Sequence, residues 1–347
     1  MEDAKEAILW KPAEKKQVQC FLCYRMCKIK DGDKGYCRVR KNVDGKLYSL
    51  NYGKAIATNI DPIEKKPFYH FMPGTKSFSF STVGCNFRCK FCQNFSISQE
   101  FGEVWGEDLP PKKIKEICDK HNVAGVAYTY TEPTIFMEYA LDTAKLVHDD
   151  RYNVFVTNGY MTTAAINEME KVIDASRIDL KGWYTDKVYE ELSGDVNLDY
   201  VLSSIKELHK RQHIELITLV IPGYNDNEDS LRGIAEWVYN LSPDIPLHFI
   251  GFYPAYKMPD APSTTLDTLR NARKMAMDAG LNYVYTGNRL DPETESTYCP
   301  NCSKMVLKRE GFGVVENKLT ENAECSECGK KLNFVVDLKK YRKRKKD

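Results

Sequence analysis

Eleven of this chain's twelve cysteines fall into three tight clusters, and that grouping constrains the fold more than any other feature. Cys20, Cys23, Cys27 and Cys37 form the first cluster. Cys85, Cys89 and Cys92 form the second, and Cys299, Cys302, Cys325 and Cys328 the third. Twelve cysteines in 347 residues fall well short of the roughly 8–10% that marks a disulfide scaffold. Clusters of four, three and four also pair poorly as disulfides, because three thiols always leave one over. In a reducing compartment, clustered cysteines bind metal more readily than each other. Cys118 stands alone in the helical pattern PKKIKEICDKHN and reads as a small packed apolar side chain.

Between the outer clusters the chain alternates short apolar runs with helical periodicity. Candidate strands cover 76–84, 125–130, 153–159, 177–182, 215–223, 247–254 and 281–288. Helical stretches include TIFMEYALDTAKLVHDD and DSLRGIAEWVYNL, the second with Asp229 or Ser230 placed to cap its start. Strand, helix, strand at this spacing predicts repeated βαβ units and a parallel sheet. The expected fold class is α/β, a partial (β/α)6 TIM-like barrel with small Cys-rich metal-binding segments at both ends. The alternative is an open doubly wound sheet. The expected domains are 1–75, 76–290 and 291–347. Polar residues collect at the strand ends, where the active face of such a barrel lies.

Fifty basic against 49 acidic residues argue against a chain-wide polyanion-binding surface, so nucleic acid is an unlikely partner. No run approaches the roughly 18 apolar residues of a spanning helix, and the amino terminus does not read as a secretory signal. These features lead us to expect a cytoplasmic protein with no membrane partner. The closing KKYRKRKKD reads as a solvated basic end, with docking to an anionic partner as the alternative.

The central triplet lies in STVGCNFRCKFCQNFSISQ, directly after the first predicted strand. Zinc would normally take four ligands, or three and a water, and usually recruits histidine; no histidine lies near. A [4Fe–4S] cube on three thiolates, with one iron left open, is the alternative. The CxxxCxxC spacing with Phe91 before the last cysteine resembles the signature of the radical S-adenosylmethionine superfamily. TNGY (157–160), DLKG (179–182) and VIPGYND (220–226) resemble motifs of pyruvate formate-lyase activating enzyme and other glycyl-radical-enzyme activases. CFLCYRMC, DPIEKKPFYHFMPG and GFYPAYKM further resemble the subgroup called AmmeMemoRadiSam system radical SAM proteins.

This resemblance implies that Cys85, Cys89 and Cys92 ligate a [4Fe–4S] cluster whose open iron chelates S-adenosylmethionine. Reductive cleavage would then give a 5′-deoxyadenosyl radical that abstracts a substrate hydrogen, with Phe91 near the adenine. TYTEP resembles the family's Gly-Gly-Glu-Pro turn, with Tyr130 and Thr131 in place of the two glycines and Glu132 retained. Thr157, Asn158, Lys181 and Asn225 are the further candidate cofactor contacts. Asp179 would orient Lys181 or form an ion pair, and the residues from Gly223 to Asp226 have a turn-forming alternative. His248, at the start of its strand, reads as structural. A ferredoxin- or flavodoxin-like reductant is the implied partner, and a protein substrate is expected ahead of a small molecule.

CPNC and CSEC, with twenty-two residues between them, have the paired-knuckle spacing of a four-cysteine site for zinc or rubredoxin-like iron. Cys20, Cys23, Cys27 and Cys37 would hold a second metal or iron–sulfur cluster. Neither terminal segment is large enough to form a substantial core alone, so bound metal would supply much of its stability.

Overall fold

The computed structural model describes residues 4–345, so Met1 to Asp3 of the opening segment and Lys346 and Asp347 of the basic tail lie outside the described residues. All seven predicted strands form, at Lys76–Ser81, Gly125–Tyr128, Tyr152–Thr157, Ala175–Asp179, His213–Val220, Leu247–Gly251 and Val284–Gly287. Each ends one to three residues before its apolar run does, so most of the polar motif residues lie in the loops that follow, while Thr157 and Asp179 close their strands. Helices alternate with the strands, and the fold class is α/β of the partial (β/α) barrel type with a Cys-rich segment at each end.

The chain packs as two compact units, which divide inside strand Ala175–Asp179. The first comprises 1–61, 76–176 and 199–212. The second comprises 62–75, 177–198 and 213–347. Segment 62–75, which its position before the triplet joined to the amino-terminal Cys-rich part, therefore packs in the unit that contains the C-terminal quartet.

In the first unit, Gly125–Tyr128 lies between Lys76–Ser81 and Tyr152–Thr157, parallel to both. These strands are buried on both faces, which accounts for their continuous apolar character. Helix Pro111–His121 buries Ile114 and Cys118, so the lone cysteine is packing, as expected. Helix Met137–Val147 supplies the buried Glu138. The amino-terminal segment forms two three-stranded sheets. Arg40–Val43 and Lys46–Ser49 are joined by Asp44 and Gly45, both at positive φ, the conformation an Asp-Gly hairpin turn requires. Arg40 fixes this sheet to the helix: its guanidinium donates to Glu138 Oε1 at 2.6 Å with both side chains buried.

In the second unit, His213–Val220, Leu247–Gly251 and Val284–Gly287 run parallel. The fully buried Glu215 accepts from the amides of Tyr69 (2.9 Å) and His70 (2.8 Å), and it contacts His213 and His248 through their Nε2 atoms. Those bonds hold segment 62–75 in place and give His248 the structural role expected of it. Burial alone would raise the Glu215 carboxyl, but the two histidines bring it well below the usual range. Helix Glu228–Leu241 is capped by Asn227, which accepts from Ser230 N at 2.9 Å, and not by Asp229 or Ser230. The described part of the basic tail is solvated, as expected, with no residue of its helix buried. It is helical over Leu338–Arg344, and Tyr341 Oη accepts from His213 N at 2.7 Å.

Candidate active site and metal centres

Strand Lys76–Ser81 leads into the loop that contains Cys85, Cys89 and Cys92. Gly84, at φ 101°, makes the turn. Cys89 is buried, and Cys85 and Cys92 are half-buried. The loop is fixed by its own backbone and side chains. Phe87 N donates to Cys85 Sγ at 3.3 Å, Gln99 Nε2 donates to Cys89 O at 2.8 Å, and Cys92 Sγ lies 3.3 Å from Ser98 Oγ. Burial, reinforced by Glu132, Cys89 and Cys92, pushes the Cys85 thiol well up. A cationic cluster would reverse that, because a ligating thiol must be a thiolate. Phe91 is buried beside the loop.

Glu132, in the loop beyond strand Gly125–Tyr128, is buried, and both its oxygens are occupied. Oε1 accepts from Thr134 N (3.0 Å), Thr134 Oγ1 (2.6 Å) and Thr157 Oγ1 (2.7 Å), and Oε2 accepts from Asn158 N (2.8 Å). Asn158 Nδ2 then donates to Asn86 Oδ1 at 2.7 Å and lies 4.0 Å from Cys85 Sγ. The structure thus brings Glu132, Thr157 and Asn158 together with the triplet loop. Thr131 turns its hydroxyl to Thr82 O at 2.8 Å.

Tyr130 takes the left-handed conformation, φ 64°, that a glycine would adopt without strain. Its carbonyl accepts from Asn94 Nδ2 at 2.8 Å, and its hydroxyl donates to Asp61 at 2.7 Å. Sequence reasoning missed Asn86, Asn94 and Asp61. Asn86 and Asn94 sit in and just beyond the triplet loop, but nothing local distinguishes them from turn formers.

Lys181 and Asn225 belong to the second unit. Lys181 Nζ pairs with Asp179 at 2.6 Å, and Arg177 takes the other carboxylate oxygen. Asn225 is fully buried. It donates to Lys181 O (2.8 Å) and Leu219 O (2.9 Å) and accepts from Ile221 N (2.6 Å), the contacts of a turn organiser.

The C-terminal quartet gathers its four sulfurs within 4.8 Å of one another, close enough to hold one metal ion. Cys299 and Cys328 are 3.6 Å apart, and Cys302 and Cys325 3.8 Å. Tetrahedral ligands about 2.3 Å from zinc stand about 3.8 Å apart, so the geometry fits one tetrahedral ion. The knuckles repeat each other: Ser303 N and Gly329 N each donate to the first cysteine's carbonyl, and both residues have positive φ. The Asn301 side chain and the Lys330 amide bring the Cys328 thiol below its ordinary value. Among the described residues neither the triplet nor the amino-terminal quartet closes this far.

Three thiols thus lie on one loop after a parallel strand, and residues that follow the next two strands are tied to that loop. The chain belongs to the radical SAM superfamily, whose profile matches residues 79–237. It is 39% identical over 337 residues to Uncharacterized protein MJ0808 of Methanocaldococcus jannaschii, covering 96% of this chain and all of that one. A putative glycyl-radical enzyme activating enzyme of the same organism, MJ1632, is 26% identical over 201 residues, covering 56% of this chain and 75% of that protein. A crystal structure of a domain of pyruvate-formate lyase-activating enzyme from Bacteroides vulgatus aligns over 48% of this chain and 99% of that one, at 17% identity and TM-score 0.39. The chain is a radical SAM enzyme, and the cofactors of its superfamily are a [4Fe–4S] cluster and S-adenosylmethionine. No helix among the described residues is long and apolar enough to cross a membrane.

Proposed function

We propose that this enzyme takes a hydrogen atom from a protein substrate, with Cys85, Cys89 and Cys92 as the ligands of its cluster. The carrying observation is the triplet loop itself: three buried or half-buried thiols on a loop braced by Asn158 and Gln99. When bound, the cluster supplies one electron to S-adenosylmethionine, whose sulfur–carbon bond breaks to give methionine and the hydrogen-abstracting radical. The chain's own residues hold and orient. Glu132 fixes Thr157 and Asn158, and Asn158 in turn fixes Asn86 between the first two ligands. Asn94 occupies the Tyr130 carbonyl, so the substituted turn keeps its shape but that carbonyl already has a partner. The resemblance to a putative glycyl-radical activase supports a protein substrate. A ferredoxin- or flavodoxin-like donor supplies the electron, and the free thiols suit a reducing compartment such as the cytoplasm.

The test is anaerobic reconstitution with dithionite and S-adenosylmethionine, wild type against the Cys85/Cys89/Cys92→Ala triple variant. The wild type yields 5′-deoxyadenosine; the variant lacks about four irons and yields none. A fully loaded wild type without product overturns the reading. Extract from cells grown in heavy water then identifies the substrate class. Deuterium enters 5′-deoxyadenosine with the macromolecular fraction for a protein substrate, and with the filtrate for a small molecule.

A further inference from the structure

The amino-terminal quartet and the triplet share a wall inside the first unit. A Cβ at Gly84, the residue before Cys85, would lie 2.9 Å from Cys37 O and 2.8 Å from Val39 Cγ1. The Cys37 backbone therefore runs directly against the entry to the triplet loop, closer than any side chain there would allow. Arg88 spans the same wall, donating to Cys85 O and Phe87 O on its own loop and to Tyr36 O beside Cys37. From the other side Arg25, between Cys23 and Cys27, donates its Nε to Asn86 O at 2.9 Å.

Aromatic rings fill the space between the two groups. Tyr24, next to Cys23, meets Tyr160 edge-on at 5.8 Å. Tyr160 meets Phe87 at 5.4 Å, and the Phe87 amide bonds to Cys85 Sγ. Tyr24 also stacks on Tyr200 at 4.1 Å, and Tyr200 is 41% exposed. Cys20 and Cys37 are buried, while Cys23 and Cys27 are half-buried beside the exposed Met26. One edge of the quartet thus faces solvent and the other faces the triplet. Its sulfurs do not close to single-ion spacing, which the C-terminal quartet of the same molecule does.

We infer that Cys20, Cys23, Cys27 and Cys37 hold a second, polynuclear iron–sulfur centre that relays electrons from an external donor to the triplet. The inference rests on the reading of the triplet given above. A reduced donor of the ferredoxin or flavodoxin class gives up one electron and is oxidised by one unit. The quartet's centre accepts that electron and passes it on, returning to its starting state. No ligand bond or proton changes hands in the relay.

The test uses the full chain, anaerobically reconstituted. Wild type should bind about eight irons beyond the ion of the C-terminal quartet, and Cys23→Ser/Cys27→Ser should lose about four of them. In the dithionite-reduced wild type, electron paramagnetic resonance should show two cluster signals, each broadened by the other. Zinc on the quartet, or a single unbroadened signal, overturns the proposal, and both readouts stand even where the variant fails to fold. In turnover, the variant should keep dithionite-driven 5′-deoxyadenosine formation within about twofold, yet lose at least roughly tenfold with reduced flavodoxin. Equal loss with both donors, or none, overturns the relay. Wild type inactive even with dithionite would instead sink the radical-enzyme reading, so the two failures are distinguishable.

Discussion

The Glu132 carboxylate accepts the backbone amide of Asn158 at 2.8 Å, and this bond ties together the loops that follow two adjacent parallel strands. Three further donors complete the carboxylate's shell, so Glu132 acts as a strut whose far end is the triplet loop. Replacing one oxygen by an amide leaves at least one buried donor facing another. Glu132→Gln should therefore destabilise the protein by about 2 kcal/mol in urea denaturation, and Glu132→Ala by more. An unchanged midpoint would mean the shell is not formed.

Tyr130 allows its backbone strain to be isolated. At φ 64° any Cβ costs about 1 kcal/mol, so Tyr130→Gly should be more stable than Tyr130→Ala by about that amount. In ordinary strand or helix backbone the order is the opposite. Tyr130→Phe, which keeps the ring and loses the hydroxyl's bond to Asp61, should cost about 1 kcal/mol.

The Arg40–Glu138 pair is buried on both sides, and Ile8 contributes a backbone donor and a backbone acceptor to it. Removing one partner strands the other charge, so Arg40→Met or Glu138→Leu alone should cost about 3–5 kcal/mol, and the double change much less. A double-mutant cycle measured by chemical denaturation checks this; additive losses would refute it.

Acid sensitivity should arise at His70. Its ring is buried, with Nδ1 bonded to Asn333 O and Nε2 to the Tyr285 hydroxyl, and stacked on Phe334. Burial brings it down to about 3, against about 6.5 in the unfolded chain. Between those values the unfolded state binds a proton that the folded state refuses. The contribution is complete above about pH 6.5 and is lost as the pH falls toward 3, with a slope of up to about 1.4 kcal/mol per pH unit. Urea midpoints at pH 7, 6, 5 and 4 should fall more steeply for wild type than for His70→Gln. Parallel curves would exclude His70 as the source.

The small core around the C-terminal quartet contains Val306, Leu307, Ala323, Leu332 and Phe334 besides the cysteines themselves. A metal ion held there would therefore carry much of its stability. Chelating that metal, or substituting Cys302→Ser, should open protease sites within 297–335 while iron reconstituted at the triplet is retained. Protection unchanged after metal loss would show that the apolar core suffices.

Strand existence was legible because an apolar run bounded by Gly, Pro and polar residues has few alternatives, and all seven runs became strands. The helix cap was not. In NDNEDS three residue types could each cap, and Asn227 does so with an extended backbone, at φ −79° and ψ 157°. The packing of segment 62–75 was equally hidden. Its anchor is Glu215, about 145 residues away, and no local pattern marks a carboxylate that will collect amides from a distant turn.

The sequence by itself determined what is local: three cysteine groups, their ligand spacing, the strand–helix alternation and the loop that bears the triplet. Those follow from periodicity and from the short reach of a few residues of chain. Only the tertiary structure decided which polar groups are already satisfied. It filled the Glu132 and Asn225 side chains, put Tyr130 in a glycine's conformation, and set Cys37 against Gly84. Each depends on two backbones distant in sequence meeting within hydrogen-bond or van der Waals distance. That encounter is governed by the packing of the whole unit, not by any window of residues.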